Sequence, residues 1–205
     1  MNVDRITTPF RCSTRLRVFA RSLQYFFCIA ILGVAPAQAN ELHPGNTYSL
    51  SFNDVDRQQF STSDGHVTII TVVTRKDEQK AQQVGDRVPR VYLGDPKFRL
   101  IMVVNFQKGI FPPLQGMIMA IIRNRLDAEA KELQKIYTAK HLTRNPRSDI
   151  WVVADFDGKA VSQLGITPTS SEFAVFVFDG RGRLVRRWND VPSAEALAAG
   201  LAEAH

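Results

Sequence analysis

Residues 150–188, IWVVADFDGKAVSQLGITPTSSEFAVFVFDGRGRLVRRW, decide the fold class of this 205-residue chain. Residues 150–154 form a short run of β-branched and aromatic residues, which is typical of a strand buried on both faces. The following DFDG predicts a tight turn, because Asp side chains bond their own backbone and Gly accepts a positive φ. A short helix capped by Gly165 comes next. Residues 173–178 and 184–188 are then predicted to pair as a hairpin around DGRG.

Two more apolar runs lie upstream and predict the centre of a sheet. Residues 67–73 and 98–106 are rich in β-branched residues and are expected to form central strands. A helix is expected between them, beginning near Asp77, where acidic side chains favour a helix N-terminus, and stopping at Gly85. Polar and apolar residues alternate in residues 48–52 and again just before the first central strand, which predicts a small hairpin.

The longest helix is predicted from Gly116 to about Lys140, and a last helix begins after Ser193, a residue suited to an N-cap. Apolar residues recur in the long helix every three or four positions, opposite the charged ones, and are expected to form a core face. They are Met117, Ile118, Ile121, Ile122, Leu126, Ala130, Leu133, Ile136 and Tyr137. The alternation of strands and helices predicts an α/β fold, with a central mixed sheet, helices on both faces and a C-terminal hairpin plus helix.

The first 39 residues have the pattern of a signal peptide. Five arginines and one acid precede the apolar run of residues 25–35, which is shorter than the roughly 20 residues of a membrane-spanning helix. Ala37-Gln38-Ala39 is an A-x-A cleavage site. We therefore expect residues 40–205 to form a single domain in the periplasm or outside the cell, with no stable membrane insertion. Retention of residues 1–39 as an uncleaved anchor is the alternative.

Removal of this segment changes the charge and the cysteine content. The Lys+Arg count falls from 26 to 21 and the Asp+Glu count from 20 to 19, so the formal net charge falls from +6 to +2. So small an excess of positive charge argues against a nucleic-acid partner. Both cysteines, Cys12 and Cys28, lie in the predicted signal, so the mature chain has neither a disulfide nor a thiol with which to do chemistry.

The order of elements resembles the thioredoxin fold in its peroxiredoxin-sized form. More narrowly, it resembles the YtfJ-like family of small exported thioredoxin-like proteins that lack the redox cysteines. The resemblance is carried by FRLIMVVN at residues 98–105, by Gly116-Met117 with Arg123 and Leu126, and by SSEFAVFVFD at residues 170–179. It implies a thioredoxin-like fold and an exported location, and it implies no reaction because these proteins have no well-established activity.

Two departures from the redox-active members of this superfamily define the candidate site. At the first strand-to-helix corner, Thr74-Arg75-Lys76-Asp77 places an Asp where those members carry the nucleophilic sulfur, and Glu172 stands where they have a cis-proline. A carboxylate cannot take part in thiol–disulfide exchange. Two interpretations remain open besides a solvated helix start. The chain is either a non-redox module that binds an envelope protein or a small ligand, or it is an anion-binding protein or an enzyme that uses this corner on an anionic substrate, with Asp77 as acid/base in the enzyme.

Other candidates are weaker. The sequence DFDG at residues 155–158 is similar to the nucleophile loop of haloacid dehalogenase-like phosphatases. Lys159 and the mere 46 residues that follow it fit that family poorly, and a turn is favoured. In the loop of residues 109–113, Ile110 and Phe111 either contact a partner or are tucked under the long helix. No metal or other cofactor is expected, because the histidines lack paired ligand spacing. They are His43, His66, His141 and His205.

Overall fold

The computed structural model describes residues 41–107 and 109–205, so the predicted signal peptide lies outside the described residues. Two short antiparallel strands, β1 (Ser51–Asn53) and β2 (Gln59–Ser61), form the N-terminal hairpin predicted above. The elements that follow are β3 (Val67–Val73), α1 (Glu78–Arg87), β4 (Phe98–Asn105), α2 (Pro112–Ala139), β5 (Ile150–Asp155), α3 (Lys159–Gln163), β6 (Ala174–Phe178), β7 (Leu184–Trp188) and α4 (Ala194–Ala204). Short 3-10 helices lie at Arg90–Tyr92 and Pro146–Asp149.

The main sheet has five strands in the order β5-β4-β3-β6-β7. The strands β3, β4 and β5 are parallel, whereas β6 runs antiparallel to β3 and β7 antiparallel to β6. This is the predicted mixed sheet, closed by a C-terminal hairpin and helix.

Helices cover both faces of the sheet, and β3 supplies the centre of both cores. Ile70 and Val72 face α3 and the N-terminal hairpin, whereas Ile69 and Val73 face α1 and α4. All seven residues of β3 are buried. A strand buried on both faces favours apolar and β-branched residues, which explains its sequence of Val, Ile and Thr.

Two helix ends differ from the prediction. The expected stop at Gly85 is wrong, because α1 continues to Arg87. Pro89 ends it, since the residue before a proline is pushed out of the helical region, and Val88 is extended (φ −66°, ψ 125°). The long helix α2 begins at Pro112 rather than Gly116. Proline suits the first turn of a helix because its missing N–H would have no partner there.

The expected core face of α2 is only partly buried. Leu126, Ala130 and Tyr137 are buried, and Leu126 packs with Val55 and Val152. Met117, Ile121 and Ile136 are exposed, so for them the prediction is wrong. The cause is that α2 lies against β5, the edge strand of the sheet, which covers only one side of a broad apolar stripe. Although α2 has 28 residues, no helix within the described ranges is long and apolar enough to cross a membrane.

Candidate functional site

The carboxyl ends of the three parallel strands carry a row of buried polar side chains. Thr74, Asn105 and Asp155 lie at the ends of β3, β4 and β5 and are all buried. Asn105 and Asp155 are partners in the β4–β5 register, and Thr74 follows Val73, the partner of Val104 in β4. Ligands of open α/β sheets bind outside the carboxyl ends of the strands. The candidate corner therefore lies at the edge where a binding site is expected.

Asp77 closes the corner between β3 and α1. Its Oδ2 accepts hydrogen bonds from the Thr74 amide, at 2.9 Å, and from the Thr74 hydroxyl, at 2.6 Å. The carboxylate thus occupies a backbone N–H that an anionic ligand would otherwise use. Arg75 and Lys76 are exposed, and among the described residues neither forms an ion pair.

Glu172 lies beside this corner but is paired elsewhere. The β3–β6 register joins Val72 to Ala174, and its extension by two residues sets Thr74 alongside Glu172. The Oε1 atom of Glu172 accepts a hydrogen bond of 2.8 Å from Nη2 of Arg187. The structure therefore brings the five predicted residues to one edge of the sheet, but it divides them between the corner and a separate ion pair.

Arg187 of β7 is a residue of this edge that sequence reasoning missed. Its side chain is 10% exposed and bonds Glu41, at 2.5 Å, as well as Glu172. Its guanidinium carbon lies 5.5 Å from the centre of the Phe176 ring, and its Nε has no partner among the described residues. The available signal was the hairpin register, which sets Arg187 opposite the buried Phe176. A charge at an inward position requires an opposite charge nearby.

Asn105 ties the loop before β6 to the end of β4. Its Nδ2 donates to the Ser170 carbonyl at 3.1 Å, and its Oδ1 accepts from the Gln107 amide at 2.8 Å. The side chain of Gln107 donates to the Thr169 carbonyl at 3.3 Å. The buried amide is thus used to hold two loops together, which is a structural role.

Asp155 closes the turn after β5. Its Oδ1 accepts from the Gly158 amide and its Oδ2 from the Val161 amide, both at 2.8 Å. Burial raises the pKa of Asp155 above its ordinary value, whereas the bond from Lys159 lowers the pKa of Asp157. Because backbone N–H groups take both oxygens of Asp155, the turn interpretation of DFDG is confirmed.

The loop before α2 is not tucked under the helix as the second alternative proposed. Phe111 is exposed and Ile110 is half-buried, and contact with a partner stays a prediction. The physical reason is the edge position of α2, which leaves the start of the helix without a covering element.

A second polar cluster lies at the opposite end of the sheet. Arg99 is buried, donates to Asp64 at 2.9 Å, and places its guanidinium carbon 4.8 Å from the Trp151 ring centre. His66 Nδ1 lies 2.7 Å from Asp64. Burial alone would raise the pKa of Asp64, but bonds from Arg99, His66 and the Ser61 amide hold it below its ordinary value. The cluster joins the hairpin region to β4.

Nothing in the described ranges assembles a metal site, since no three His, Cys, Asp or Glu side chains are grouped to hold an ion. A cavity of about 390 Å³ lies away from the candidate corner, at the amino end of β3. It is lined by Val67, Lys97, the β6–β7 turn and the end of α4. Its position separates it from the polar row at the carboxyl ends of the strands.

The comparisons with known proteins found similarity to solved structures only. No protein-family model and no curated protein matches the chain. Similar solved structures include the exposed lipoprotein thioredoxin Etrx1 of Streptococcus pneumoniae, with 14% identity and a TM-score of 0.46, covering 76% of this chain and 99% of that one. A putative thiol:disulfide interchange protein DsbE from Chlorobium tepidum has 12% identity and a TM-score of 0.48, covering 80% and 99%. A peroxiredoxin-like protein from Aquifex aeolicus has 13% identity and a TM-score of 0.46, covering 80% and 89%. Identities of this size carry no reaction, ligand or partner over to this chain.

Proposed function

We propose that this chain is an exported, YtfJ-like binding module without redox activity, which recognises an envelope protein through the edge that carries Thr74, Arg75, Lys76 and Asp77. The observation that carries the proposal is the state of Asp77. Its carboxylate stands where redox-active relatives have a sulfur, and it is bonded to the amide and hydroxyl of Thr74. The corner is thus built as a stable turn with two exposed cations.

The absence of redox activity follows from the chemistry of the chain. Thiol–disulfide exchange requires a thiolate that attacks a disulfide sulfur. Both cysteines, Cys12 and Cys28, precede the expected cleavage after Ala39. The exported chain would then enter its compartment with a thioredoxin-like scaffold and no sulfur nucleophile.

An envelope protein with an acidic segment is the partner that the corner fits best. Arg75 and Lys76 project from a helix start, where the helix dipole adds to their positive charge. Exposed ion pairs contribute about 0–1 kcal/mol each, so these cations set orientation and association rate more than affinity. The pair of Glu172 and Arg187 beside them keeps the neighbouring surface fixed.

The test of the redox proposal uses the processed protein in dithiothreitol-dependent insulin reduction and in peroxide consumption. We expect rates equal to the buffer blank, with an authentic thioredoxin as the positive control. Turnover above the blank that is lost in the Asp77→Ala variant would contradict the proposal.

The partner is tested by comparing two charge-reversed baits with the wild type in envelope extract. The first carries Arg75→Glu and Lys76→Glu, and the control carries Lys131→Glu and Lys135→Glu on the exposed side of α2. A protein held by the wild type and by the control, but lost from the corner variant, is the expected result. Equal retention by all three proteins would remove the corner from the proposal.

Binding of a small anion at the same corner is the second candidate. The observation that favours it is that Arg75 and Lys76 form no ion pair with any residue that the structure describes. Sulfate or inorganic phosphate should then raise the melting temperature, relative to sodium chloride of equal ionic strength. The double variant Arg75→Gln, Lys76→Gln should lose that rise. If neither anion raises the wild-type melting temperature, this candidate fails.

The enzymatic form of the second candidate makes a separate prediction. If Asp77 acted only as an acid/base, Asp77→Asn would abolish activity and leave the melting temperature unchanged. Both hydrogen bonds of Asp77 are accepted by one oxygen, Oδ2, and Asn keeps an acceptor oxygen, so Asp77→Asn should retain the turn, whereas Asp77→Ala should lower the melting temperature. Loss of activity in Asp77→Asn at an unchanged melting temperature would support a catalytic carboxylate, and a lower melting temperature of Asp77→Ala identifies a turn-closing one.

A further inference from the structure

The N-terminal half of α2 presents large apolar side chains to solvent. Phe111, Leu114, Met117 and Ile121 are 67, 46, 57 and 48% exposed. Leu114, Met117 and Ile121 are spaced three or four residues apart and therefore share one side of the helix, and Phe111 is the N-cap residue just before it. We call these four residues the α2 stripe.

The charge pattern of α2 changes abruptly after the stripe. Residues 109–122 contain no charged side chain, whereas residues 123–135 contain seven. An outward helix face in a soluble protein is normally polar, and the second half of α2 follows that rule. A contiguous exposed apolar patch is typical of an interaction surface, and the first half of α2 carries such a patch.

We infer that the α2 stripe packs against the α2 stripe of a second copy of this chain, as an antiparallel pair of helices. In a two-fold contact the same patch faces itself, so a charged patch would set like charges against each other. The uncharged stripe avoids that repulsion. This inference is independent of the proposed function, because it uses none of the residues of the candidate corner.

The order of residues along the stripe is compatible with this arrangement. A two-fold axis near Met117 sets Leu114 of one copy against Ile121 of the other. It also brings Phe111 towards Arg125, a ring face towards a guanidinium. Arg125 is exposed, and its ion pair with Glu78 is long at 3.5 Å, so it can turn towards that ring.

The size of the stripe predicts a weak dimer. If each side chain has an area of about 150–250 Å², the four expose roughly 400 Å² per copy. A standard stable interface buries about 800 Å² per partner. We therefore expect a reversible dimer that dissociates on dilution, not an obligate one.

Sedimentation velocity of the processed protein, purified after expression of the full chain, tests the inference over a concentration series from micromolar to near-millimolar. The weight-average mass should rise from monomer towards dimer. Met117→Glu should remain monomeric with an unchanged melting temperature, whereas Ala128→Glu, on the charged half of the same face, should behave as the wild type. A wild type that is monomeric at every concentration, or a Met117→Glu variant that dimerises equally, would overturn the inference.

Disulfide trapping gives a geometric test, because the predicted mature chain has no cysteine of its own. Met117→Cys lies near the proposed axis and should form a cross-linked dimer under mild oxidation. Two copies of Ala128→Cys would lie roughly 30 Å apart, at 1.5 Å per residue along each helix, far beyond the roughly 4 Å Cβ separation of a disulfide. The wild type, treated identically, is the blank. Equal trapping of both variants would mean random collision and would overturn the proposed pair.

A vesicle arm separates a protein partner from a lipid surface. The wild type and Met117→Glu are mixed with vesicles of phosphatidylethanolamine and phosphatidylglycerol and floated on a density gradient. We expect both to remain in the protein fraction. Flotation of a monomeric wild type that Met117→Glu abolishes would assign the stripe to a membrane surface and overturn the inference.

Discussion

Replacement of Asp155 by alanine is expected to lower the free energy of unfolding by about 3 kcal/mol. The carboxylate is 3% exposed and accepts two backbone N–H groups, from Gly158 and Val161, at 2.8 Å each. A buried donor left without an acceptor costs about 1–3 kcal/mol, and the variant leaves two. The two costs sum to about 2–6 kcal/mol. We take a value from the lower half of that range, because the raised pKa of Asp155 shows that burial of its charge already lowers the stability of the wild type.

Thermal unfolding followed by circular dichroism measures this effect. A domain of this size shifts by roughly 2–4 °C per kcal/mol, so Asp155→Ala should melt about 6–12 °C below the wild type. The matched control is Asp157→Ala, two residues away, whose carboxylate is 57% exposed and pairs with Lys159. An exposed pair contributes less than about 1 kcal/mol. Equal shifts for the two variants would refute the assignment of Asp155 as the residue that closes the turn.

Three further predictions concern the ends of the sheet. Asp77→Ala should cost about 1–2 kcal/mol, because the amide and hydroxyl of Thr74 lose their acceptor; an unchanged urea midpoint would contradict this. Arg187→Leu and Glu172→Gln should be coupled by more than about 0.5 kcal/mol in a double-mutant cycle, and additive effects would show that their pair is not stabilising. Asp64 has a lowered pKa in the folded state, so its contribution is present above the unfolded pKa of about 3.9 and is lost as the pH falls through the folded pKa. Denaturation between pH 5 and 2 should therefore be steeper in the wild type than in Asp64→Asn, and identical slopes would contradict the low pKa.

The strands were predictable because a strand that is buried on both faces is recognised by its own amino-acid composition. β3 is buried at every position, and such a strand favours a continuous run of β-branched residues whatever surrounds it. The turn at Asp155 was predictable for a similar reason, since its two acceptors serve amides only three and six residues away. Hydrogen bonds between residues only a few positions apart can therefore be predicted from the sequence.

The long-range features were not predictable from the same patterns. The periodicity of α2 indicates an apolar side, but it contains no information on how far the sheet extends beneath that side. The edge position of β5 decides this, and it leaves Met117 and Ile121 exposed. Likewise, Arg187 bonds Glu41 and Glu172, which are 146 and 15 residues away. Such pairing becomes visible only when the strand order is known.

The strand order has a consequence for the time at which the chain folds. The central strand β3 is completed on one side by β6, and Ile69 is joined to Val177, a partner that leaves the ribosome about 100 residues later. Contacts so distant in sequence carry a large loop-closure cost and form slowly. Until β6 is synthesised, the most apolar strand of the sheet has an open edge, and no stable core can form around it. A nascent chain that postpones its core in this way stays unfolded until its C-terminal hairpin has been made.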